Sequence, residues 1–193
     1  MPFTPKILAF AGSTREGSFN KKLVRVAAEA ARAAGSEVTM LDLRELELPM
    51  YDGDLESSKG LPAGGRKLKD LMLAHHGFLI SAPEYNSSIS AVLKNAIDWA
   101  SRPVPGEKPL ECFDGKIAAL LSASPGALGG LRMLMHLRAI LENIGTTVLP
   151  KQLAVAKAAD AFDEHGTLKD AAQQKKVQQL CAELTEVTCR LKS

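Results

Sequence analysis

The chain has 193 residues, 46% of them hydrophobic, which is enough for one well-buried core and short for two independent units, so it reads as a single domain over 1–193. Its 24 Lys and Arg against 22 Asp and Glu leave a net charge of +2 with no basic block, and that excludes the electrostatic footprint of a nucleic-acid partner. Met1 to Lys6 lacks the basic and apolar segments of a secretory signal, and no apolar run approaches membrane-spanning length; a cytoplasmic protein without membrane association is expected.

Lys6 to Ala11 is a short apolar run ending in Gly12, and Leu23, Val26, Ala27, Ala30 and Ala34 then recur at helical spacing until Gly35. This predicts a strand, a loop and a helix. Glu37 to Leu43 reads as a second strand. A polar stretch from Arg44 to Gly65, rich in turn residues, leads into a helix around Arg66 to His75. Gly77 opens a third strand whose run Phe78 to Ala82 is continuously apolar, the mark of a parallel strand covered on both faces. A loop at Pro83 to Ser88 precedes a helix over Ala91 to Ala100. Lys116 to Ser122 supplies a fourth strand, Leu131 to Asn143 a helix, and Thr146 to Leu149 a fifth strand. The last helix runs from about Lys169 to Leu191, with Val177, Leu180, Cys181, Leu184, Val187 and Leu191 on one face.

Parallel strands need crossover connections, and a helix is the usual crossover. The alternation therefore predicts an α/β fold: a flavodoxin-like, doubly wound, five-stranded parallel sheet of strand order 2-1-3-4-5 with helices on both faces. Ligands of such sheets bind beyond the carboxyl ends of the strands, at the switch point between strands one and three. Three loops matter on that ground: Gly12 to Asn20, Pro83 to Ser88, and Ser122 to Gly130.

The first loop joins a buried strand to a helix N-terminus, where unpaired N–H groups and the helix dipole favour an anion. Ser13, Thr14 and Ser18 add hydroxyls, Asn20 an amide, and Arg15 a guanidinium suited to phosphate oxygens. Gly12 and Gly17 have the separation of the P-loop glycines, but Ser18 stands where that motif needs its lysine, which argues against an ATPase or kinase. The dinucleotide fingerprint GxGxxG is absent as well, so Asp42 reads as a turn residue rather than a ribose ligand. A monophosphate fits best. Taken alone, Ser18 could simply cap the helix; the clustering at a switch point favours binding.

In the second loop Pro83 fixes the chain, Tyr85 offers an aromatic face to a flat ligand, and Asn86 can donate and accept at ring heteroatoms. Glu84 either shifts the electronics of such a ring or points to solvent. In the third, Ser124 Pro125 Gly126 precedes Gly129 Gly130, glycines that permit close backbone approach. A nucleophilic role for Ser124 fails on context, because there is no GxSxG elbow and no His and acid to assign to it. His75, His76, His136 and His165 have no metal-ligand spacing, so no metal site is expected. Cys112, Cys181 and Cys189 form no CxxC pair and read as free thiols.

Gly12 Ser13 Thr14 Arg15 with Ser18 and Asn20, then Pro83 Glu84 Tyr85 Asn86, then Ser124 Pro125 Gly126 with Gly129 Gly130, together resemble the NAD(P)H-dependent FMN reductase family, which includes quinone, chromate and azo-dye reductases. The similarity spans about residues 6 to 150. It implies that Ser13, Arg15, Ser18, Phe19 and Asn20 surround the phosphate and ribityl chain of FMN. Pro83, Glu84, Tyr85 and Asn86 would border its ring, and Ser124, with Gly126, would close the other edge. FMN then carries the redox chemistry, leaving the protein binding, orientation and electrostatics and no separate catalytic residue. The donor would be NADPH or NADH, and the acceptor a quinone, azo dye, chromate or flavin. Where many relatives continue with Ser, a variable residue, Pro and Gly, this chain has Ser88 Ile89 Ser90 Ala91, a departure on the acceptor side of the pocket.

The main alternative is a flavodoxin-type electron carrier that binds FMN without oxidising NAD(P)H, against which the +2 charge counts, such carriers being strongly acidic. The helices Ala91 to Ala100 and Leu131 to Ile144 carry apolar residues over a wider arc than one sheet face covers. The surplus suggests a subunit interface, and the resemblance implies a homodimer or homotetramer with flavin sites near it.

Overall fold

The computed structural model describes residues 3–192; Met1 and Pro2, where the segment tested for a secretory signal begins, lie outside the described residues. In chain order the elements are β1 (Lys6–Ala11), α1 (Phe19–Ala33), β2 (Glu37–Leu41), a 3-10 helix (Leu43–Leu46), α2 (Gly53–Lys59) and α3 (Ala63–Ala74). Then follow β3 (Gly77–Ser81), α4 (Ala91–Ala100), β4 (Ile117–Ala123), α5 (Leu131–Asn143), β5 (Thr147–Val148), β6 (Leu153–Val155), α6 (Ala158–Ala161) and α7 (Ala171–Lys192).

β1 is buried at every position after Lys6, and β3 and β4 are buried throughout, so these strands require cover on both faces. Side chains alternate between the two faces. Ile7, Ala9 and Ala11 join a core with residues of α1 and α7, whereas Leu8 and Phe10 join one with residues of α3, α4 and α5. Among the described residues every strand pairing within the sheet is parallel, and the order is β2-β1-β3-β4-β5, as the alternation predicted. The flavodoxin-like, doubly wound architecture follows, with its switch point between β1 and β3. Among the described residues no helix is long and apolar enough to cross a membrane.

Three local features differ from the sequence reading. The fifth strand position is interrupted: β5 pairs with Ile117 and Ala118, and β6 with Leu121 to Ala123. Pro150, which has no N–H to give a ladder, lies in the gap. Arg138 of α5 bridges it by donating to the carbonyls of Val148 (3.2 Å), Leu149 (2.6 Å) and Pro150 (3.3 Å). The stretch from Arg44 to Gly65 contains the 3-10 helix and α2. Asp52 caps α2 by accepting from the N–H of Asp54 at 2.8 Å, and no residue of α2 is buried, which is why no apolar period announced it.

The wide apolar arc of α4 is used internally. Trp99 is fully buried and its indole donates to the Pro49 carbonyl at 2.8 Å, while Tyr51 packs edge-on against it at 5.0 Å. Asn95 holds the same loop, donating to the Pro49 carbonyl and accepting from the Tyr51 N–H. On α5 the arc is not fully covered: Leu131 is 44% and Met135 54% exposed.

Candidate functional site

The loops after β1, β3 and β4 meet at the carboxyl edge of the sheet. Gly12 starts the first. Its N–H donates to the Ser81 carbonyl at 2.9 Å, and a Cβ there would stand 2.8 Å from Ala82 Cβ and 3.0 Å from Leu93 Cδ2, so the close approach of the loops needs glycine. Ser90 fixes the same point. Its hydroxyl donates to the Gly12 carbonyl at 2.6 Å while accepting from the Leu93 N–H as the N-cap of α4. The departure from the usual Pro-Gly pattern thus places a hydroxyl that ties two site loops together.

Ser13 is buried and its Oγ accepts from the Arg15 N–H at 3.3 Å. Ser18 is the N-cap of α1, accepting from the Lys21 N–H, which leaves its hydroxyl proton to give elsewhere. The backbone N–H groups of Ser13, Thr14, Phe19 and Asn20 have no acceptor among the described residues. These are the orphan donors of a strand end and a helix start, and they add to the positive end of the α1 dipole. Arg15 is exposed and enters no ion pair among the described residues; its Cζ lies 5.6 Å from the centre of the Phe19 ring. From outside, Arg44 steadies the loop by donating to the Thr14 carbonyl and to the Glu16 carboxylate.

Asp42 is the turn residue that the sequence suggested: it accepts from the Arg44 N–H at 3.0 Å and pairs with Lys21 at 2.6 Å. Burial works to raise its pKa, but the Lys21 ammonium and the Arg44 N–H outweigh that and hold it below the ordinary carboxylate value.

Asn20 is buried and acts as a clamp. Its Oδ1 accepts from the Ser81 hydroxyl and from the Ala123 N–H, each at 2.9 Å, and its Nδ2 donates to the Ala123 carbonyl at 2.9 Å. One residue thereby ties α1 to the ends of β3 and β4, and of its two amide protons one is committed.

The second loop is a tight reversal. Tyr85 and Ser88 exchange both backbone hydrogen bonds at 3.0 Å around Asn86 (φ 50°) and Ser87 (φ 66°), the two positive φ values of a type I′ turn. Asn86 sits exposed at its tip, and Tyr85 is 55% exposed. Glu84 neither points to solvent nor stands free. Its carboxylate accepts from the N–H groups of Arg132 (3.1 Å) and Met133 (3.4 Å) and from the Arg132 guanidinium. Burial pushes its pKa up, but these donors together hold it below the ordinary value.

In the third loop the Ser124 N–H donates to the Val155 carbonyl at 3.0 Å, and its Oγ accepts from the Gly126 N–H. Gly130 has φ 91°, and a Cβ on it would fall 1.9 Å from Ser122 Oγ. It caps α5 without a side chain of its own, and Glu84 fills that role across the loops.

All of the expected site residues except Asn86 and Gly126 line one cleft of about 310 Å³, at the lower end of small-molecule pockets. Ala123 and Pro125 line it too, although only the fold could show it. Its lining joins the unpaired amides and Arg15 of the first loop to Pro83 and Tyr85 of the second and Pro125 of the third. Such a cleft suits an anion at the helix start joined to a flat, partly apolar body. The histidines stand elsewhere. His75 is buried between the Leu71 carbonyl and the Thr39 hydroxyl, His76 accepts from the Lys6 N–H, and His136 pairs with the Ser88 hydroxyl.

The family model for NADPH-dependent FMN reductase matches residues 5–160. The chain is 35% identical over 175 residues to an NAD(P)H-dependent FMN reductase of Pseudomonas aeruginosa, covering 90% of each. It is 37% identical over 146 residues to a quinone reductase of Escherichia coli, covering 76% of this chain and 74% of the other. Among solved structures, the flavoenzyme NAD(P)H:acceptor oxidoreductase of Paracoccus denitrificans superposes with a TM-score of 0.80 at 28% identity, covering 96% of this chain and 97% of that one. The resemblance read from the three loops therefore extends over most of the chain, and this protein belongs to the NADPH-dependent FMN reductase family of oxidoreductases, with FMN and NAD(P)H as its cofactors.

Proposed function

We propose that the protein uses NAD(P)H to reduce a small-molecule acceptor of the quinone class through FMN held in this cleft, with the FMN phosphate at the Gly12–Asn20 loop. The observation that carries the reading is the set of N–H groups at Ser13, Thr14, Phe19 and Asn20 that have no partner among the described residues, next to an Arg15 guanidinium that no described carboxylate neutralises. When bound, FMN supplies the redox chemistry by taking hydride from the nicotinamide and passing two electrons to the acceptor.

The residues around it have binding and positioning roles. The four amides, the Ser18 hydroxyl and Arg15 would hold the phosphate without a metal or lysine. Pro83 and Tyr85 would flank the ring on one side, and Ser124 and Pro125 on the other. The type I′ turn keeps Tyr85 in place at little entropic cost, since both of its hydrogen bonds are made before any ligand arrives. Azo dyes, chromate and free flavin are further candidate acceptors. The exposed Leu128, Leu131 and Met135 near the third loop and along α5 support the expected homodimer or homotetramer, and a light-scattering mass near 20.6 kDa would contradict it.

The test is rapid mixing of the FMN-loaded protein with NADPH and with NADH, followed by benzoquinone. Loss and then recovery of the oxidised flavin absorbance is expected. A flavin that stays oxidised with both nucleotides overturns the reading and favours the electron carrier.

A further inference from the structure

Beyond the third loop the chain makes a short strap. α6 is followed by a turn in which Phe162 and Leu168 form an antiparallel bridge, Asp163 accepts from the N–H groups of His165 (3.0 Å) and Thr167 (2.8 Å), and the Lys169 N–H returns to the Ala161 carbonyl. Ala158, Phe162 and Leu168 are buried. The strap is anchored at its start by the Ala158 N–H donating to the Ser124 carbonyl and the Lys157 N–H to the Gly126 carbonyl.

What the strap presents to the site is one ring. Phe162 stacks on Phe19 with the planes 5° apart and the centres separated by 6.3 Å. Phe19 is the first residue of α1, supplies one of the unpartnered amides, and lines the cleft. The row is closed by cations at both ends, with Arg15 Cζ 5.6 Å from the Phe19 centre and Lys22 Nζ 6.0 Å from the Phe162 centre. Among the described residues Arg15 has no carboxylate partner to fix it, so the face of Phe19 is the surface that orients it. Phe19 in turn is only partly buried and packs against the core cluster that contains Phe162.

We infer that Phe162 is a positioning residue for the phosphate-binding loop: by stacking on Phe19 it holds the α1 start and the Arg15 guanidinium in the geometry that receives the phosphate. The residue lies just past the matched family region, which ends at 160. This inference rests on the reading that FMN places its phosphate at the first loop. Arg15 supplies the charge, Phe19 the platform, and Phe162 the support that keeps the platform from rotating into the cleft.

The experiment compares FMN with riboflavin, which lacks the phosphate, by quenching of flavin fluorescence on binding to the flavin-free protein. Phe162→Leu keeps most of the buried volume but removes the ring, so the fold survives where Phe162→Ala risks a larger cavity. Expected is a loss of about 3- to 10-fold in FMN affinity, the range a stacked pair supports, with riboflavin affinity unchanged and Phe162→Tyr restoring FMN. In the Arg15→Ala background the Phe162→Leu loss should largely vanish, because the two act on one contact. An equal loss for both flavins shows a merely structural role and overturns the inference, as does no loss for FMN. If the unaltered protein binds riboflavin as tightly as FMN, the phosphate reading itself fails and the inference falls with it. If FMN is preferred and depends on Arg15 but not on Phe162, only the inference fails.

Discussion

Glu84 and Arg132 join the loop after β3 to the first turn of α5: one carboxylate receives both the Arg132 guanidinium and the backbone N–H groups of Arg132 and Met133. A side-chain oxygen on the first N–H groups is what an N-cap residue supplies, and Gly130 at the cap position has none to give. Glu84 therefore caps a helix 48 residues away in sequence, with a negative charge at the positive end of its dipole. Because its carboxyl is held below the ordinary 4.5, its contribution to stability is full above that value and is lost as pH falls through the depressed one. Glu84→Ala should cost about 1 kcal/mol at pH 7, and the gap in melting temperature to the unaltered protein should narrow as pH falls below 4.5 and close beneath the depressed value. A gap that persists at low pH would show that packing, not the charge, sets the effect.

The Gly12 carbonyl and the α4 cap both depend on the Ser90 hydroxyl. Ser90→Ala removes both bonds and leaves a buried carbonyl unpaired, which should destabilise by about 1–3 kcal/mol. Gly12→Ala attacks the same junction from the other side by pressing on Ala82 Cβ at 2.8 Å, and overpacking there should cost about 1–3 kcal/mol. Urea unfolding of each variant measures this. A neutral Ser90→Ala would mean that the loops are held by the Gly12–Ser81 backbone bond alone.

The fold was legible because the buried strands β1, β3 and β4 are continuous apolar runs and α1, α5 and α7 carry helical periods, signals that do not depend on partners. α2 was not, since it buries nothing. The site splits along the same line. The composition of the Gly12–Asn20 loop declares an anion site locally, but the work done by Asn20, Glu84 and Ser90 is long-range: their partners are Ala123, Arg132 and Gly12. Nothing near Glu84 in the chain indicates that its charge is committed to α5. Arg132 and Phe162 carried no sequence signal at all, because each matters through a residue on another element.

His75 is buried with its ring bonded on both sides, to the Leu71 carbonyl and the Thr39 hydroxyl. Burial foremost, and then the positive charges of Lys116 and Lys6, hold its pKa below the ordinary 6.5, against the Leu71 carbonyl and Glu37, which favour the charged ring. The folded protein thus takes up this proton less readily than the unfolded chain, so the contribution is present above pH 6.5 and lost as pH falls through the folded value. NMR titration of the ring should place its midpoint below 6.5, and His75→Gln should lessen the loss of stability on mild acidification. A midpoint at or above the ordinary value would contradict this.

Burial pushes the Cys112 thiol up to about 11 and the Cys181 thiol up to about 12, and each donates to a backbone carbonyl, of Ala100 and Ala27. The thiolate is the reactive form, so a disulfide reagent at pH 8 should label Cys189 first, the half-buried one of the three. The other two should react only on unfolding. Fast labelling of Cys112 or Cys181 in the folded protein would show that the core opens there.

Arg15 and Asn20 lie five residues apart on one loop, and the structure assigns them opposite costs. Arg15 is exposed and touches little besides the Phe19 ring, so Arg15→Ala should change the stability of the flavin-free protein by less than about 0.5 kcal/mol. The proposed guanidinium–phosphate bond is charge-assisted, worth roughly 1.5–3 kcal/mol, so FMN affinity should fall about 10- to 100-fold. Asn20→Ala removes three buried hydrogen bonds and leaves the Ala123 N–H and carbonyl unpaired where β4 ends. It should lower stability by about 2–4 kcal/mol before any ligand is considered. Asn20→Asp should be worse still, because the oxygen replacing Nδ2 would face the Ala123 carbonyl at the 2.9 Å now spanned by a donor. Thermal melts of the flavin-free variants beside FMN titrations separate the two effects. If Arg15→Ala melts early while Asn20→Ala does not, the division of this loop into a binding half and a clamping half is wrong.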